Sequence, residues 1–520
     1  MTPSSHHQGA TGQDRVLDFL GKPSGGHDTQ RVDTHGSIVF LWPDRVYKIK
    51  RAVRLPYLDY SSLDKRKHAC EEEIAVNRRF APDIYRGVVP ITEGETGPEI
   101  NGKGDVIEWA VEMARFDENQ TLDHLAARGE ITPGLAEPLA EALAASHHSA
   151  PVSDGQTWLA SLPSLIEHNT TAFRGHAALA SADVERLHVL SCDRLAENQA
   201  LLKHRAAARM VRRCHGDAHL GNIVMIDGKP RLFDAIEFDP VIATTDVLYD
   251  FAFPLMDLLH FGNRAAANRL LNFYLQATWR QNAGALALLP LFLSIRAAIR
   301  ANVLLTKHAQ GAGAAALSDA QSYFGLALDL TAPGKPSLIA IGGRSGTGKS
   351  VLARAISGLV QPAPGAVLLR SDVIRKEIFG VDPLVKLPEA AYAPGTSERV
   401  YGEMLDRARC VLAQGLSAVV DAAFLKQDER NQLRPLTASC GVDFFGIFLV
   451  AETSVRLARI GARRNDASDA NQDVALFQER IDTGVIDWAI VDASGTPEET
   501  LERSVRHLPR DATREHRSDR

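Results

Sequence analysis

The sequence has few of the features that mark secreted, zinc-stapled or membrane-spanning proteins. No Cys-x-x-Cys pair occurs, which argues against a disulfide framework or a structural zinc site. The N-terminus has no basic stretch followed by an apolar core, and no uninterrupted apolar run approaches bilayer length. We therefore expect a soluble, cytoplasmic protein with no membrane partner. The five scattered cysteines are Cys70, Cys192, Cys214, Cys410 and Cys440.

An excess of positive charge is also missing. Lys and Arg total 58 against 64 Asp and Glu, which gives a formal net charge of -6. The chain therefore has no global basic field to hold a nucleic acid, and we expect no nucleic-acid partner. With 520 residues, 45% of them hydrophobic and 23% charged, the chain has the composition of a globular protein and the length of two or three domains.

The order of patterns along the chain predicts two folded domains. Short strand patterns, SIVFLW and VYKIK, come first and are followed by long segments with helical spacing. Beyond a Pro- and Gly-rich cluster, the buried-strand patterns AVLLRSD, SAVVDAA and FFGIFLV alternate with helical stretches, which predicts a parallel α/β sheet. We place an α+β domain at 31–330, a linker at 331–336 and an α/β domain at 337–510, with flexible tails at 1–30 and 511–520. The first tail should contain one or two helical turns at its apolar patch, Val16 to Leu20.

A glycine-rich run follows the strand pattern SLIAIGG and precedes the helical pattern VLARAISGL. It matches the Walker A signature, and this strand-to-helix context is the one a P-loop requires. Glycines let backbone N–H groups close around a phosphate, Lys349 would neutralise the β- and γ-phosphates, and Ser350 would ligate Mg²⁺. The run predicts binding of ATP with Mg²⁺. Its residues are Gly343, Arg344, Ser345, Gly346, Thr347, Gly348, Lys349 and Ser350.

Two carboxylates come at the ends of later strand patterns, where open α/β sheets bind their ligands. Asp421 resembles a Walker B metal carboxylate. Asp372, followed by Arg375 and Lys376, suits an acceptor site in which the carboxylate orients a hydroxyl and the cations handle charge. A helix N-cap is the alternative role for Asp372, because Asp is favoured at that position.

Arginines in the segment RLARIGARRNDASDA suggest a lid over the phosphates. We choose Arg463 over Arg459 and Arg464 as the arginine that stabilises transferring charge, and a solvated basic face is the alternative. The stretch from the P-loop onward resembles the P-loop kinases that include gluconate and shikimate kinases and the zeta-toxin group. That resemblance implies nucleotide binding and a small-molecule kinase fold.

A second constellation lies in the run CHGDAHLGN. Asp217 and Asn222 stand five residues apart, the spacing of the catalytic loop in protein kinases, and Asp234 follows twelve residues after Asn222. We predict Asp217 as the base that meets the acceptor hydroxyl, and Asn222 and Asp234 as Mg²⁺ ligands. The run resembles the HGDxHxxN motif of the aminoglycoside and choline phosphotransferases, which implies a two-lobed, protein-kinase-like fold. Asp250 resembles a scaffolding Asp of that family.

Such a fold requires a strand lysine and a helix acid upstream to hold the α- and β-phosphates. Lys48 and Lys50 face one side of the VYKIK strand, and we favour Lys48 while Lys50 stays an alternative. Glu73 resembles the acid of the family's helix, with Glu71 and Glu72 as alternatives.

Two features depart from the family pattern. The metal motif reads FDAIEFDP and lacks the glycine of DFG, and THGS is a poor substitute for a glycine-rich phosphate loop. Taken together, the motifs predict an ATP-dependent kinase that transfers the γ-phosphate to a hydroxyl of a small-molecule acceptor. The alternatives are an ATP-binding regulator with one non-catalytic module and a P-loop kinase acting on nucleic-acid or protein acceptors. Neither motif identifies the acceptor or the oligomeric state.

Overall fold

A computed structural model describes residues 8–22, 29–34, 36–55, 58–332, 334–464 and 466–508. Two compact units are formed by segments that alternate along the chain. The predicted tail at 511–520 lies outside the described residues. The first unit contains 1–131, 142–162 and 202–257, and the second contains 132–141, 163–201 and 258–520.

The first unit is built on a six-stranded antiparallel sheet in the order β1-β2-β3-β8-β6-β7. Lys48 on β3 stands opposite Val39 on β2. The strands are β1 Gln30–Asp33, β2 Ser37–Leu41, β3 Arg45–Lys50, β6 Tyr85–Gly94, β7 Gly97–Ile100 and β8 Val106–Ala114, with the short pair β4 Arg54–Leu55 and β5 Leu58–Asp59 beside them.

Helix α1, Gln8–Gly21, corrects the prediction of a flexible tail over 1–30. Val16 and Leu20 are fully buried and pack with Phe40 and Ile49 of the sheet. Four residues apart on one helical face, they supply enough apolar surface to fix the helix, although the polar residues around them suggest a loose segment.

The catalytic-loop region of the first unit consists of short strands joined by tight turns. β9 pairs with β12, and β10 pairs with β11, both in antiparallel fashion. These strands are β9 Val211–Arg213, β10 Ile223–Ile226, β11 Lys229–Leu232 and β12 Thr244–Asp246. The helices up to this region and just beyond it are α2 Leu63–Asn77, α3 Leu122–Ala127, α4 Ala136–Ser149, α5 Gly155–Arg174, α6 Ser181–Glu197, α7 Gln199–Ala207 and α8 Val247–His260.

The second unit contains the predicted parallel sheet, in the order β14-β15-β13-β16-β17. Strand β13, which comes first in the sequence among the strands of this sheet, is central and fully buried, as its apolar run predicts. The strands are β13 Ser337–Gly343, β14 Val367–Arg370, β15 Ala418–Asp421, β16 Asp443–Val450 and β17 Ala489–Asp492. The accompanying helices are α12 Lys349–Leu359, α13 Ser371–Ile378, α14 Pro394–Ala413, α15 Gln427–Asn431, α16 Leu433–Cys440, α17 Thr453–Ala462, α18 Gln472–Gln478 and α19 Pro497–Val505.

Helices α9 Arg264–Asn282, α10 Leu289–Ala309 and α11 Gly313–Thr331 belong to the same unit as this sheet. Asn272 on α9 accepts a hydrogen bond from the Leu368 N–H at 2.7 Å, and Asn268 donates to the Ala366 carbonyl at 3.0 Å. These amides satisfy backbone groups at the edge strand β14. The units therefore do not divide at the predicted 331–336 linker, and separate folding on its two sides stays a prediction.

The helical run Arg264–Ala309 contains a window long enough, and apolar enough by mean hydropathy, to cross a membrane. Within the protein, 67% of that window is buried. Length and composition alone do not distinguish a membrane span from the core helix of a soluble protein.

Candidate active site

In the first unit, an ion pair joins strand β3 to helix α2. Lys48 Nζ lies 2.8 Å from Glu73 Oε1, and Glu73 is completely buried. Glu71 and Glu72 are exposed on the same helix, so Glu73 is the acid that reaches the strand lysine. Burial alone would lower the pKa of Lys48, but Asp234 and Glu73 hold that pKa well above its ordinary value. The lysine therefore remains charged.

Lys50, two residues after Lys48 on the same strand, also contacts Glu73. Its Nζ lies 2.7 Å from Glu73 Oε2 and 2.5 Å from Glu237 Oε1, and its side chain is 1% exposed. Lys48 is 14% exposed and also contacts Asp234 Oδ1 at 2.7 Å. Of the two candidates, Lys48 is therefore the lysine that reaches both solvent and the predicted metal carboxylate. The sequence left both lysines open, and Glu237 was not predicted at all.

The catalytic loop brings Asp217 and Asn222 together. Asn222 Nδ2 donates to the Asp217 carbonyl at 2.9 Å and approaches its carboxylate at 3.2 Å. Asp217 is 40% exposed and His219 Nε2 lies 3.6 Å from its Oδ2. The carboxylate is thus open to solvent on one side and held by an amide on the other, as a base that meets an external hydroxyl requires.

Asp234 follows β11 in a tight turn. Its φ is +57°, a left-handed conformation that Asp tolerates better than most residues. Its N–H donates to the Tyr85 hydroxyl at 3.0 Å, and Asn77 Oδ1 accepts from the next N–H, of Ala235, at 2.8 Å. These bonds from β6 and the end of α2 fix the carboxylate beside Lys48 without a DFG glycine.

Buried side chains hold the catalytic loop in place through hydrogen bonds. Asp250 Oδ1 accepts from the Gly216 N–H at 2.8 Å, and its Oδ2 lies 3.2 Å from His147 Nε2. Together with Cys214, these two side chains place three ligand-type atoms within 4.8 Å of one another. Burial lowers the pKa of His215, which bonds the Phe233 carbonyl at 2.9 Å. This layer supports the scaffolding role expected of Asp250.

In the second unit, the P-loop depends on its glycines. Gly346 and Gly348 have φ values of +86° and +91°, and a Cβ on Gly346 would lie 2.6 Å from the Arg456 carbonyl oxygen. Only glycine fits this backbone, which turns the amides inward. Thr347 Oγ1 closes the loop by donating to the Arg344 carbonyl at 2.8 Å.

The predicted phosphate and metal groups meet at the end of β13. Ser350 Oγ donates to Asp421 Oδ2 at 2.6 Å, and Arg370 Nε lies 3.3 Å from the same oxygen. A hydroxyl and a carboxylate at this distance form an oxygen donor set of the kind Mg²⁺ takes. Lys349 Nζ donates to the Arg344 carbonyl at 3.1 Å. Burial lowers its pKa, and neighbouring Asp421 opposes that effect.

Arg463 and Asp372 flank this group. Nη1 of Arg463 is buried and has no hydrogen-bond partner among the described residues, and its charge contributes to the lowered pKa of Lys349. A half-buried guanidinium with one buried, unpaired nitrogen beside the P-loop lysine fits a triphosphate. Burial, with Asp421 nearby, raises the pKa of Asp372. Asp372 lies within the first turn of α13, and the residue at its N-cap is Arg370.

The cations after Asp372 have protein partners. Lys376 is buried and its Nζ lies 2.7 Å from Asp469 Oδ2. Arg375 donates to the Ala391 carbonyl at 2.7 Å and stacks over the Tyr392 ring at 4.7 Å. These two cations hold the segment around Tyr392 and Asp469, and their role toward acceptor charge stays a prediction.

One contact at the P-loop was not predicted. Gln478 Oε1, at the end of α18, accepts from the Ser345 N–H at 2.7 Å, and Arg344 Nε donates to the Gln478 carbonyl at 3.1 Å. Glu479 lies next to it and pairs with the buried Arg456 at 2.8 Å. A side-chain carboxamide oxygen thus accepts the hydrogen bond of one N–H of the phosphate-binding loop. Nothing in the local sequence indicated this contact.

Protein-family models match a segment in each of the two predicted domains. Residues 58–284 match the phosphotransferase enzyme family, and residues 338–480 match the AAA domain family. The chain therefore combines a kinase-like phosphotransferase segment with a P-loop kinase segment, which confirms the predicted fold class and the resemblance. Both matches support a kinase-type phosphotransfer activity.

Individual relatives match much or part of the chain. An uncharacterized protein of Mycobacterium tuberculosis is 28% identical over 455 residues, covering 85% of this chain and 88% of its own length. A gluconokinase from Sinorhizobium meliloti is 23% identical, covering 34% of this chain and 95% of its own, with a TM-score of 0.25. A choline/ethanolamine kinase family protein from Mesorhizobium loti is 13% identical, covering 62% and 99%, with a TM-score of 0.36.

Proposed function

We propose that the chain is an ATP-dependent kinase with two phosphotransfer centres, each transferring the γ-phosphate to a hydroxyl of a small molecule. The observation that carries the proposal is the ion-pair cluster of the first unit. Lys48, Glu73 and Asp234 come from three separate stretches of chain, and the Lys48 ammonium lies 2.8 Å from Glu73 and 2.7 Å from Asp234. Such convergence of charges in the order a kinase requires is costly unless it serves binding.

In the first centre, Lys48 would bind the α- and β-phosphates while Glu73 holds its ammonium in place. Asp217 would accept the proton of the acceptor hydroxyl as that oxygen attacks the γ-phosphate. Asn222 and Asp234 would hold Mg²⁺. Mg²⁺ held by these residues would neutralise the negative charge of the phosphates.

In the second centre, the P-loop amides and Lys349 would surround the phosphates. Ser350 and Asp421 would hold Mg²⁺, and Arg463 would complement charge on the transferring group. Asp372, whose carboxyl has a raised pKa and lies in the first turn of α13, would orient and deprotonate the acceptor hydroxyl.

A second candidate function, ATP-dependent regulation through a non-catalytic P-loop, is favoured by one contact. Gln478 Oε1 occupies the Ser345 amide, so nucleotide phosphates would compete with a protein group at that amide. In that case ATP would act by changing the position of α18.

The test is a panel of metabolites and antibiotics with labelled ATP, run on the full chain and on Asp217→Asn and Lys349→Ala variants. Product phosphorylation is scored separately from ATP hydrolysis. Two activities, each lost in a different variant, support the bifunctional kinase. Loss of all phosphorylation in Asp217→Asn alone, with nucleotide binding lost in Lys349→Ala, supports the regulatory function. No phosphorylated product in any chain contradicts both.

A further inference from the structure

A buried charge pair behind the first centre has no role in the phosphotransfer chemistry described above. Lys50 and Glu237 are 1% and 8% exposed, and their charged atoms lie 2.5 Å apart. Lys50 Nζ also stands 5.5 Å from the centre of the Tyr60 ring. The ammonium is thus enclosed by protein groups, and it is the lysine of β3 that an external phosphate does not reach.

The two oxygens of Glu73 are divided between two lysines. Oε1 pairs with Lys48 at 2.8 Å and Oε2 pairs with Lys50 at 2.7 Å. A carboxylate held at both oxygens has a fixed plane, whereas one held at a single oxygen rotates about its terminal bond. The orientation of Glu73 toward Lys48 therefore depends on Lys50.

Glu237 extends the same restraint to the metal-binding turn. It stands three residues after Asp234, so its bond to Lys50 ties that turn to β3 at a second point beside the contact between Lys48 and Asp234. Strand, helix and turn are joined through one ammonium. Burial lowers the pKa of Lys50, but Glu73 and Glu237 more than reverse this and raise it above the ordinary value.

Stability alone does not account for this arrangement. A buried ion pair loses solvation that its Coulombic attraction barely repays, and apolar replacements of such pairs are often neutral or stabilising. Retaining two acids and a lysine in the core is better explained by a geometric requirement. We propose that Lys50 and Glu237 are positioning residues, which orient Glu73 and the Asp234 turn for MgATP. This inference rests on the proposed nucleotide binding by the first centre.

The test measures two quantities in the full chain: the affinity for MgATP, by calorimetry, and the unfolding temperature. A Lys349→Ala background leaves the first centre as the one under study. Four chains are compared: the background, Lys50→Met, Glu237→Gln and the double variant. Lys67→Met is the control, because Lys67 forms an exposed ion pair with Glu71, at 3.8 Å, on α2, the helix that carries Glu73.

We expect Lys50→Met to unfold at a lower temperature and to bind MgATP on the order of tenfold more weakly, since it removes the ion pairs with Glu73 Oε2 and Glu237 Oε1. The double variant restores charge balance and regains thermal stability relative to Lys50→Met. Its MgATP affinity stays low, because Glu73 Oε2 still has no partner. Glu237→Gln alone also weakens MgATP binding, and the control changes neither quantity.

Three results would overturn the inference. Recovery of both stability and affinity in the double variant would show a purely structural pair. Tighter binding by Glu237→Gln would show that Lys50, once released, contacts phosphate directly. Unchanged affinity in both Glu237→Gln and the double variant would contradict positioning even if Lys50→Met does not fold. A background chain that binds no MgATP would instead remove the proposed function of the first centre, and the inference with it.

Discussion

The two candidate centres hold their key lysines in different ways. Lys48 in the first unit has two carboxylate partners, Glu73 and Asp234, within 2.8 Å. In the second unit, no carboxylate of the described residues lies within ion-pair distance of Lys349, whose Nζ donates to a backbone carbonyl. The first lysine is compensated before a nucleotide arrives, and the second is not. Phosphate should therefore contribute a larger share of the stabilising charge at the P-loop.

They also differ in what forms the site. Eight consecutive residues and their backbone amides form the P-loop, whereas the first centre needs side chains from β3, α2, the catalytic loop and the turn after β11. A phosphate site made mainly of consecutive backbone amides depends on few side chains. Loss of one of these few, such as Lys349, should therefore remove nucleotide binding altogether. A site made of converging side chains fails by degrees, and each variant separates one role.

The largest effect is expected from Lys349→Ala, which should abolish nucleotide binding at the P-loop. The ammonium is the principal side-chain charge facing the phosphates, and no carboxylate of the described residues lies within ion-pair distance of it. Calorimetry with a non-hydrolysable ATP analogue measures the loss. Lys335→Ala, an exposed lysine just before β13, is the control and should bind as the parent chain does. Unchanged affinity in Lys349→Ala would refute the assignment.

The next effect separates acceptor chemistry from metal chemistry in the first centre. Asp217→Asn should cut acceptor phosphorylation by about 100-fold or more while leaving MgATP binding largely intact, because it removes a positioned base. Asp234→Asn should weaken MgATP binding and turnover together.

Rates and affinities of both variants are compared with Asp227→Asn, an exposed turn residue between β10 and β11 that should have no effect. Full activity in both Asp217→Asn and Asp234→Asn would show the first centre to be non-catalytic. The remaining phosphotransfer should then depend wholly on Lys349.

A smaller effect tests whether α9 belongs with the P-loop sheet. Asn272→Ala leaves the Leu368 N–H without its acceptor, and we expect a loss of about 1–3 kcal/mol in the free energy of unfolding. Gln276→Ala, exposed on the same helix, is the control and should stay within about 0.5 kcal/mol of the parent.

Truncation sharpens the same comparison. A fragment that begins at 258 keeps α9, and it should unfold at a higher temperature than one that begins at 335. Equal unfolding temperatures for the two fragments would support the boundary at 331–336 and remove the structural role of α9.

The smallest effect concerns pH and Asp372. Because the folded-state pKa of this carboxyl lies above its ordinary value of 3.8, the folded state binds more protons, and its stability falls as pH rises through that interval. Asp372→Asn removes the penalty. It should raise the unfolding temperature near neutral pH and have little effect below the ordinary pKa.

Unfolding temperatures of the wild type and of Asp372→Asn, measured from acid to neutral pH, show whether the variant becomes the more stable chain as pH rises. A variant less stable than wild type at neutral pH would contradict the burial of an ionised Asp372.

The parts that sequence predicted well are those with local causes. The P-loop signature fixes the turn between β13 and α12, and the spacing within HGDAHLGN places Asn222 against Asp217. The parts it missed depend on tertiary contacts. Glu237 meets Lys50 across 187 positions, and Gln478 reaches Ser345 across 133. No local pattern marks such partners, so the choice between Lys48 and Lys50 had to wait for the fold.

The domain layout shows the same limit. A Pro- and Gly-rich cluster is a local signal for a linker, yet Asn268 and Asn272 bond to the strand beyond it. Likewise, the polar composition of the first 30 residues predicted a loose tail with one or two helical turns, whereas Val16 and Leu20 fix a helix of 14 residues to the sheet.

The central claim is that one chain carries two independent MgATP sites, and the number of sites bound tests it most directly. Calorimetric titration with a non-hydrolysable ATP analogue and Mg²⁺ should give two sites per wild-type chain. Lys48→Met and Lys349→Ala should each give one, and the double variant none. A single site in wild type that is lost in Lys349→Ala and unaffected by Lys48→Met would contradict the account.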